Sequence, residues 1–181
     1  EKEEKVVVDQ ITGGTLKLDT SAAAGSGSNS SSTSEAQVSL SIPPSALPAS
    51  YNFSTPITAK SYPSSVLDTM VMTAEAKSVK LKPVAKVLHF GPDGLKFDKP
   101  CPLEMGFNAS SVSASDVGKL SVHTFVDAKG SWEDVGGSCS VSTGKCVASL
   151  SHFSLYTVML KSATETTPTT PAVAPGSSEV V

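Results

Sequence analysis

Two cysteines have the spacing of a disulfide across a tight turn. Cys139 and Cys146 flank six residues that include Thr143-Gly144, a pair that can turn a hairpin. A bond between the two sulfurs would staple neighbouring strands and needs an oxidising compartment. The alternative is a pair of free thiols. The third cysteine, Cys101, is in register with apolar residues and is expected to be a buried free thiol.

Three Asn-X-Ser sequences are candidate N-glycosylation acceptors. They begin at Asn29, Asn52 and Asn108. Such sequences also arise by chance in a chain rich in Ser. Together with the predicted disulfide, they indicate the secretory pathway and an extracellular or cell-surface location.

Metal, ligand and enzyme chemistry have little support in the sequence. His89, His123 and His152 lack the short paired spacing of zinc ligands, so no metal site is predicted. Asp93 and Asp98 bracket a turn that could bind Ca²⁺, although a plain turn is the expected structure. A single Trp gives little basis for a sugar-binding platform. The chain has no nucleophile elbow, phosphate loop or Cys-X-X-Cys motif, and we predict neither a cofactor nor an enzyme acting on an external substrate.

The charge balance of the chain argues against nucleic acid or an anionic membrane as a partner. The 181 residues include 14 basic and 17 acidic ones, a net charge of −3. The sequence begins at Glu1 without an initiator Met or an apolar leader, and it contains no run long enough to span a bilayer. We therefore expect a mature or excised piece of a longer chain.

The elements that would position these residues are short strands. Ser, Thr, Val, Gly and Pro dominate, and only 17% of the residues are charged. About ten strands separated by Gly/Pro turns predict an all-β fold, an antiparallel two-sheet β-sandwich over residues 6–161. The candidate strands are 6–8, 15–18, 38–42, 57–62, 70–74, 78–90, 101–107, 120–126, 132–135, position 141 and 146–160.

Four segments fall outside this strand pattern. Residues 1–5 are charged and are predicted to be a linker. Residues 21–34 are almost entirely Ser, Gly, Ala and Asn and are predicted to be a disordered loop between two strands. Residues 64–77 could hold a short helix. Residues 162–181 carry repeated Thr and Pro and are predicted to be an extended stalk or linker.

Five stretches of the sequence, taken in order, carry a family resemblance. They are GGTL at 13–16, LSIPPSAL at 40–47, FGPDGLKFDKP at 90–100, WEDVGG at 132–137 and SHFSLYTV at 151–158. This ordered set resembles the ZU5-type β-sandwich, in particular the ZU5-like modules of secreted and cell-surface proteins. The resemblance covers residues 6–160, with the 21–34 insertion as its departure from a compact pattern.

The resemblance also implies a possible reaction. Relatives of this family, and the related self-cleaving GAIN-type domains, cut their own backbone at a site that here matches His152, Phe153 and Ser154. The Ser154 hydroxyl would attack the Phe153 carbonyl, His152 would be the general base, and the ester would then be hydrolysed. On a regular strand the same sequence is ordinary packing, with Phe153 and Leu155 on one face and His152, Ser154 and Tyr156 on the other.

The leading hypothesis is a structural or interaction module of a larger extracellular or cell-surface glycoprotein, such as a surface filament or an adhesin. Its partners would be other domains of the parent chain or neighbouring extracellular proteins, with no nucleic acid and no membrane insertion. One alternative is an autoproteolytic domain that cuts between Phe153 and Ser154, with the fragments remaining associated. The other alternative is a Ca- or carbohydrate-binding module.

Overall fold

The computed structural model describes residues 2–6, 12–19, 37–63 and 81–161. Within these ranges the chain forms twelve strands and two 3₁₀ helices, at Ala109–Ser111 and Ala114–Lys119. The strands are β1 (Lys2–Val6), β2 (Gly14–Asp19), β3 (Gln37–Ile42), β4 (Ile57–Tyr62), β5 (Leu81–Pro83), β6 (Val87–Gly91), β7 (Lys96–Gly106), β8 (Leu120–Val126), β9 (Ser131–Gly136), β10 (Ser138–Ser140), β11 (Lys145–His152) and β12 (Leu155–Lys161).

The strands form two antiparallel sheets. The seven-stranded sheet has the order β1-β4-β6-β12-β8-β9, and β5 pairs with the far end of β12. The five-stranded sheet has the order β10-β11-β7-β3-β2. The predicted all-β, two-sheet antiparallel sandwich is confirmed, with twelve described strands where the sequence indicated about ten.

The hydrophobic core lies between the two sheets. Buried residues alternate with exposed ones along β2 and with mostly half-buried ones along β3, as the period of two in the sequence predicts. Burying a large apolar side chain contributes about 1.5–3 kcal/mol relative to its exposed state. The largest fully buried side chains are Tyr156, Phe90, Phe107, Phe153, Leu16, Leu18, Leu40, Ile42, Ile57, Leu88 and Leu103.

The prediction that residues 1–5 form a linker is wrong for the described residues of that segment. Lys2–Val6 is an edge strand that runs antiparallel to β4, with Lys2 opposite Ser61 and Val6 opposite Ile57. The exposed Glu3 lies within ion-pair distance of Lys5 and Lys60. Charged residues suit such an edge strand because they discourage pairing with another chain, so a charged segment can still form a strand.

Two strands that the sequence predicts as continuous are interrupted. Residues 78–90 contain β5 and β6, and residues 146–160 contain parts of β11 and β12. Position 141 lies in the turn between β10 and β11 rather than in a strand. A turn at 92–95 is closed by a hydrogen bond from Leu95 N to Pro92 O (3.3 Å). Gly94 takes the positive φ of 72° that a type II turn requires at its third position.

Several predicted segments lie outside the described residues. They are the loop at 21–34 with its sequon at Asn29, the helix candidate at 64–77, the strand candidate at 70–74 and the stalk at 162–181.

Candidate functional site

The His-Phe-Ser sequence lies where the chain crosses from one sheet to the other. His152 ends β11 in the five-stranded sheet, and Leu155 begins β12 in the seven-stranded sheet. Phe153 and Ser154 form the corner between them. A shift in pairing between Leu150 and His152 precedes this corner, so the three residues do not lie on one regular strand.

Phe153 anchors the corner in the core. Its side chain is fully buried, and its ring packs edge-on against Phe97 with the ring centroids 4.7 Å apart. Its N–H donates to the carbonyl oxygen of Leu95 (2.9 Å), and its own carbonyl oxygen accepts from the N–H of Gly94 (3.2 Å). The carbonyl that self-cleavage would attack therefore already has one backbone donor, the kind of group that stabilises a developing oxyanion.

Ser154 is engaged away from the Phe153 carbonyl. Its hydroxyl donates to the carbonyl oxygen of Phe125 in β8 (2.9 Å). Its own carbonyl oxygen accepts from the N–H of Phe90 in β6 (3.1 Å). Both contacts tie the corner to strands of the seven-stranded sheet, which is a structural role.

His152 makes its contacts elsewhere. Its Nδ1 lies 3.2 Å from the hydroxyl of Ser151, and its backbone carbonyl oxygen accepts from the Tyr156 hydroxyl (2.6 Å). Burial raises the pKa of Tyr156 to about 12, which keeps that hydroxyl protonated as a donor. In the part of the chain that the structure describes, no hydrogen bond joins His152 to Ser154. A nucleophile and its base would need that contact.

The corner also changes which side chains share a face. On a continuous strand, the side chains of Phe153 and Tyr156 would lie on opposite faces. Both are in fact buried in the core between the sheets, whereas Leu155 packs on the outer side of the seven-stranded sheet. The reason is that the interruption at Phe153 and Ser154 breaks the period-two alternation.

The disulfide between Cys139 and Cys146 is present. The two residues are cross-strand partners in β10 and β11, with their Cα atoms 4.0 Å apart. The turn between them is closed by a hydrogen bond from Gly144 N to Val141 O (3.2 Å), and Gly144 has a φ of +64°. The bond clips the three-residue edge strand β10 onto the five-stranded sheet.

The third cysteine, Cys101, is a buried free thiol, as its sequence register predicts. Burial raises its pKa to about 12. It belongs to the core and takes no part in a reactive site.

The two described sequons share one local structure. Asn52 and Asn108 are both exposed, and each side-chain oxygen accepts from the backbone N–H two residues on, at Ser54 (3.0 Å) and Ser110 (3.1 Å). Each is an Asx turn on the surface. The glycan attaches to the amide nitrogen, whereas the turn uses the amide oxygen.

The histidines and aspartates of interest are dispersed. His89 Nε2 contacts Asp93 Oδ1 at 2.6 Å on the surface, whereas His123 is buried in β8 with its Nδ1 3.2 Å from the Ser121 carbonyl oxygen. The backbone N–H of Asp98 donates to the carbonyl oxygen of Ala46. In the part of the chain that the structure describes, no three His, Cys, Asp or Glu residues are grouped to hold a metal ion.

The five-stranded sheet carries a cleft that sequence reasoning missed. It has a volume of about 450 Å³ and includes the ion pair between Lys145 Nζ and Glu104 Oε1 (2.7 Å). Its lining comes from four adjacent strands, β2, β3, β7 and β11, so only the strand order could reveal it. The lining residues are Lys17, Leu18, Asp19, Gln37, Val38, Ser39, Glu104 and Lys145.

Over the described ranges, the chain has no helix long and apolar enough to cross a bilayer.

Comparison with known proteins identifies the fold family. The family model described as the ZU5 domain matches residues 20–122, more than half of the chain. ZU5 domains are protein-interaction modules and are in general not enzymes. The matched range ends before the corner at His152. No curated protein matches the chain.

Proposed function

Since the chain belongs to the ZU5 domain family, we propose that it is a structural and interaction module of a larger extracellular or cell-surface glycoprotein. Its partners are other domains of the parent chain or neighbouring extracellular proteins, in a setting such as a surface filament or an adhesin. The module presents rigid sheet surfaces for docking rather than a reactive centre.

The observation that carries the extracellular part of the proposal is the disulfide between Cys139 and Cys146. Disulfides persist in secreted and surface proteins and are rare where glutathione keeps thiols reduced. The bond fixes an edge strand of only three residues, which few backbone hydrogen bonds would hold otherwise.

The surface sequons give separate support. Asn52 and Asn108 lie in exposed turns, where a glycan would displace no packed side chain. Both positions are therefore sterically compatible with glycosylation.

The experiment that tests the proposal is surface labelling of intact cells of the source organism with a membrane-impermeant biotin reagent. The parent protein, detected with an antibody to this module, is expected to be labelled and to lose mass after N-glycosidase treatment. An intracellular protein of known abundance is the control for leakage. Labelling only after permeabilisation, with no change in mass, would reject an extracellular location.

Autoproteolysis between Phe153 and Ser154 is the second candidate, and one observation favours it. The Gly94 N–H already donates to the Phe153 carbonyl oxygen. The remaining geometry favours the structural role, because the Ser154 hydroxyl donates to Phe125 instead. The mass of the folded chain under denaturing conditions separates the two, since cleavage would release a fragment that begins at Ser154.

A further inference from the structure

The face of the five-stranded sheet that points away from the core is exposed. Along β2, Leu16 and Leu18 are buried in the core, and Lys17 between them points outward into solvent. In β11, Val147 also points outward and is 47% exposed. The cleft described above lies on the same face. This surface, which we call the outer face, is therefore accessible to a partner.

The outer face has a ridge beside a trough. The ridge is the ion pair between Lys145 Nζ and Glu104 Oε1 (2.7 Å), on β11 and β7. The trough is the cleft of about 450 Å³ beside that pair, over β2 and β3. Its floor includes the small side chain of Ser39 and the main chain of Leu18 and Val38, whose side chains point into the core. A partner that fills the trough therefore needs a ridge of similar size.

Charged residues of opposite sign lie on either side of β3. Lys17, Ser39 and Glu104 form one row across β2, β3 and β7. Because neighbouring strands are about 4.8 Å apart, Lys17 and Glu104 lie at similar distances on opposite sides of Ser39. A half-turn about an axis along β3 exchanges these two positions. A second copy placed by that rotation sets each Lys17 against a Glu104.

The same rotation matches the next row of charges and the shape of the face. Asp19 lies opposite Gln37 on the β2 side, and Lys145 lies opposite Gly106 on the β11 side. The half-turn therefore brings Lys145 of one copy toward Asp19 of the other. It also carries the ridge of each copy over the trough of the other. Such reciprocity is what a two-fold interface between identical chains requires.

We propose that two copies of the module associate through their outer faces, about a two-fold axis along β3. Five strands about 4.8 Å apart, with about six residues of roughly 3.4 Å each, give a face of about 500 Å² per copy. Interfaces of this size are weak and transient, and salt weakens contacts between exposed charges. The dimer is therefore reversible and sensitive to ionic strength. The inference rests on the proposed role as an interaction module and is independent of the extracellular location.

Sedimentation equilibrium of the full chain tests the proposal. At an ionic strength of about 0.01 M the weight-average mass should rise with concentration toward that of two chains, and at about 1 M it should stay that of one chain. Lys17→Glu and Glu104→Lys should each stay monomeric where the wild type associates. Lys82→Glu, at an exposed position of the seven-stranded sheet, is the matched control and should associate like the wild type.

An equimolar mixture of Lys17→Glu and Glu104→Lys gives the sharpest result. In a mixed dimer the two substituted residues face each other, and so do the two native ones, so association should return. A mixture that stays monomeric would overturn the proposal. A wild type that is monomeric at low salt, or a Lys17→Glu variant that associates like the wild type, would overturn it as well.

A chemical cross-link keeps the test decisive if Glu104→Lys fails to fold. Ser39 lies on the proposed axis, so a short bifunctional maleimide should join two copies of Ser39→Cys at low salt and should not join Lys82→Cys. The native Cys101 is buried and does not compete for the reagent. Equal cross-linking at the two positions, or none at either, would overturn the proposal. Such a result would leave the surface-labelling experiment, and the location that it tests, unaffected.

Discussion

The hydroxyl of Ser154 donates a hydrogen bond to the carbonyl oxygen of Phe125, 2.9 Å away. The bond links the corner after β11 to β8, in the sheet that the chain is about to enter. Ser154 is the residue that a self-cleaving module would use as its nucleophile. In this chain its hydroxyl holds the corner to β8.

The first prediction is that the folded chain stays intact and that Ser154→Ala only weakens it. Loss of one hydrogen bond should lower the free energy of unfolding by about 1 kcal/mol, as measured by urea denaturation. Ser149→Ala, at an exposed position of β11, should change it by less than about 0.5 kcal/mol. If mass spectrometry found a fragment that begins at Ser154 in the wild type and not in Ser154→Ala, autoproteolysis would replace the structural role.

The second prediction concerns the buried ring at the corner. Phe153→Ala should lower the free energy of unfolding by about 3–5 kcal/mol, because it leaves a cavity against Phe90 and Phe97. The measurement is chemical denaturation followed by circular dichroism. Val147→Ala is the matched surface control, for which a change within about 0.5 kcal/mol is expected. Equal effects of the two substitutions would show that the corner does not depend on its ring.

The third prediction concerns the disulfide. The double variant Cys139→Ser, Cys146→Ser should lose about 2–3 kcal/mol of stability, since the bond closes a short loop in the unfolded chain. A reducing agent should lower the melting temperature of the wild type to that of the variant. The melting temperature of the double variant should not change with the reducing agent. A change would show that the reducing agent acts on another group.

The fourth prediction is that Cys101 is inert in the native state. Burial raises its pKa to about 12, so the thiolate that reacts with iodoacetamide is scarce at pH 8. One thiol should be alkylated after denaturation and none before it, as read by intact mass. Alkylation of the native protein as fast as that of the denatured protein would mean that this part of the core opens readily.

The fifth prediction concerns pH and His123. Burial lowers the pKa of His123, although its contact with the Ser121 carbonyl and the nearby charge of Asp134 oppose the shift. The unfolded chain, with a histidine pKa of about 6.5, therefore binds more protons than the native state as the pH falls below that value. The contribution of neutral His123 to the free energy of unfolding is fully present above a pH of about 6.5. It should decline below that pH, by at most about 1.4 kcal/mol per pH unit.

Unfolding measured between pH 7.5 and 5 tests the role of His123. The variant His123→Gln should have a shallower dependence of stability on pH than the wild type over this range. His152→Gln, at the corner, is the comparison variant. Identical slopes for wild type and His123→Gln would assign the pH dependence to other groups.

The sequence predicts those parts of the fold that depend on local alternation. Apolar residues at every second position place β3 and most of β7 correctly, because one face of each strand must be buried. The link between Cys139 and Cys146 was also accessible, since the two residues are close in sequence and separated by turn-forming residues.

Features that depend on strand order could not be predicted. The corner at Phe153 and Ser154 looks like unbroken strand in the sequence, and the partner of Ser154 lies 29 residues away. Strand β1 was missed because an edge strand carries charges and lacks an apolar period. A second apolar cluster likewise joins Val87 and Trp132 to Met159, which no sequence period connects.

The position of β12 has a consequence for biosynthesis. This strand is the last described element in the chain, yet it lies in the middle of the seven-stranded sheet and pairs with β5, β6 and β8. While the ribosome is still making residues before 155, β6 and β8 have no shared neighbour to join them. The sandwich can therefore close only after Lys161 has left the exit tunnel. Until then the nascent chain exposes the edges of β6 and β8, which are open to pairing with other strands.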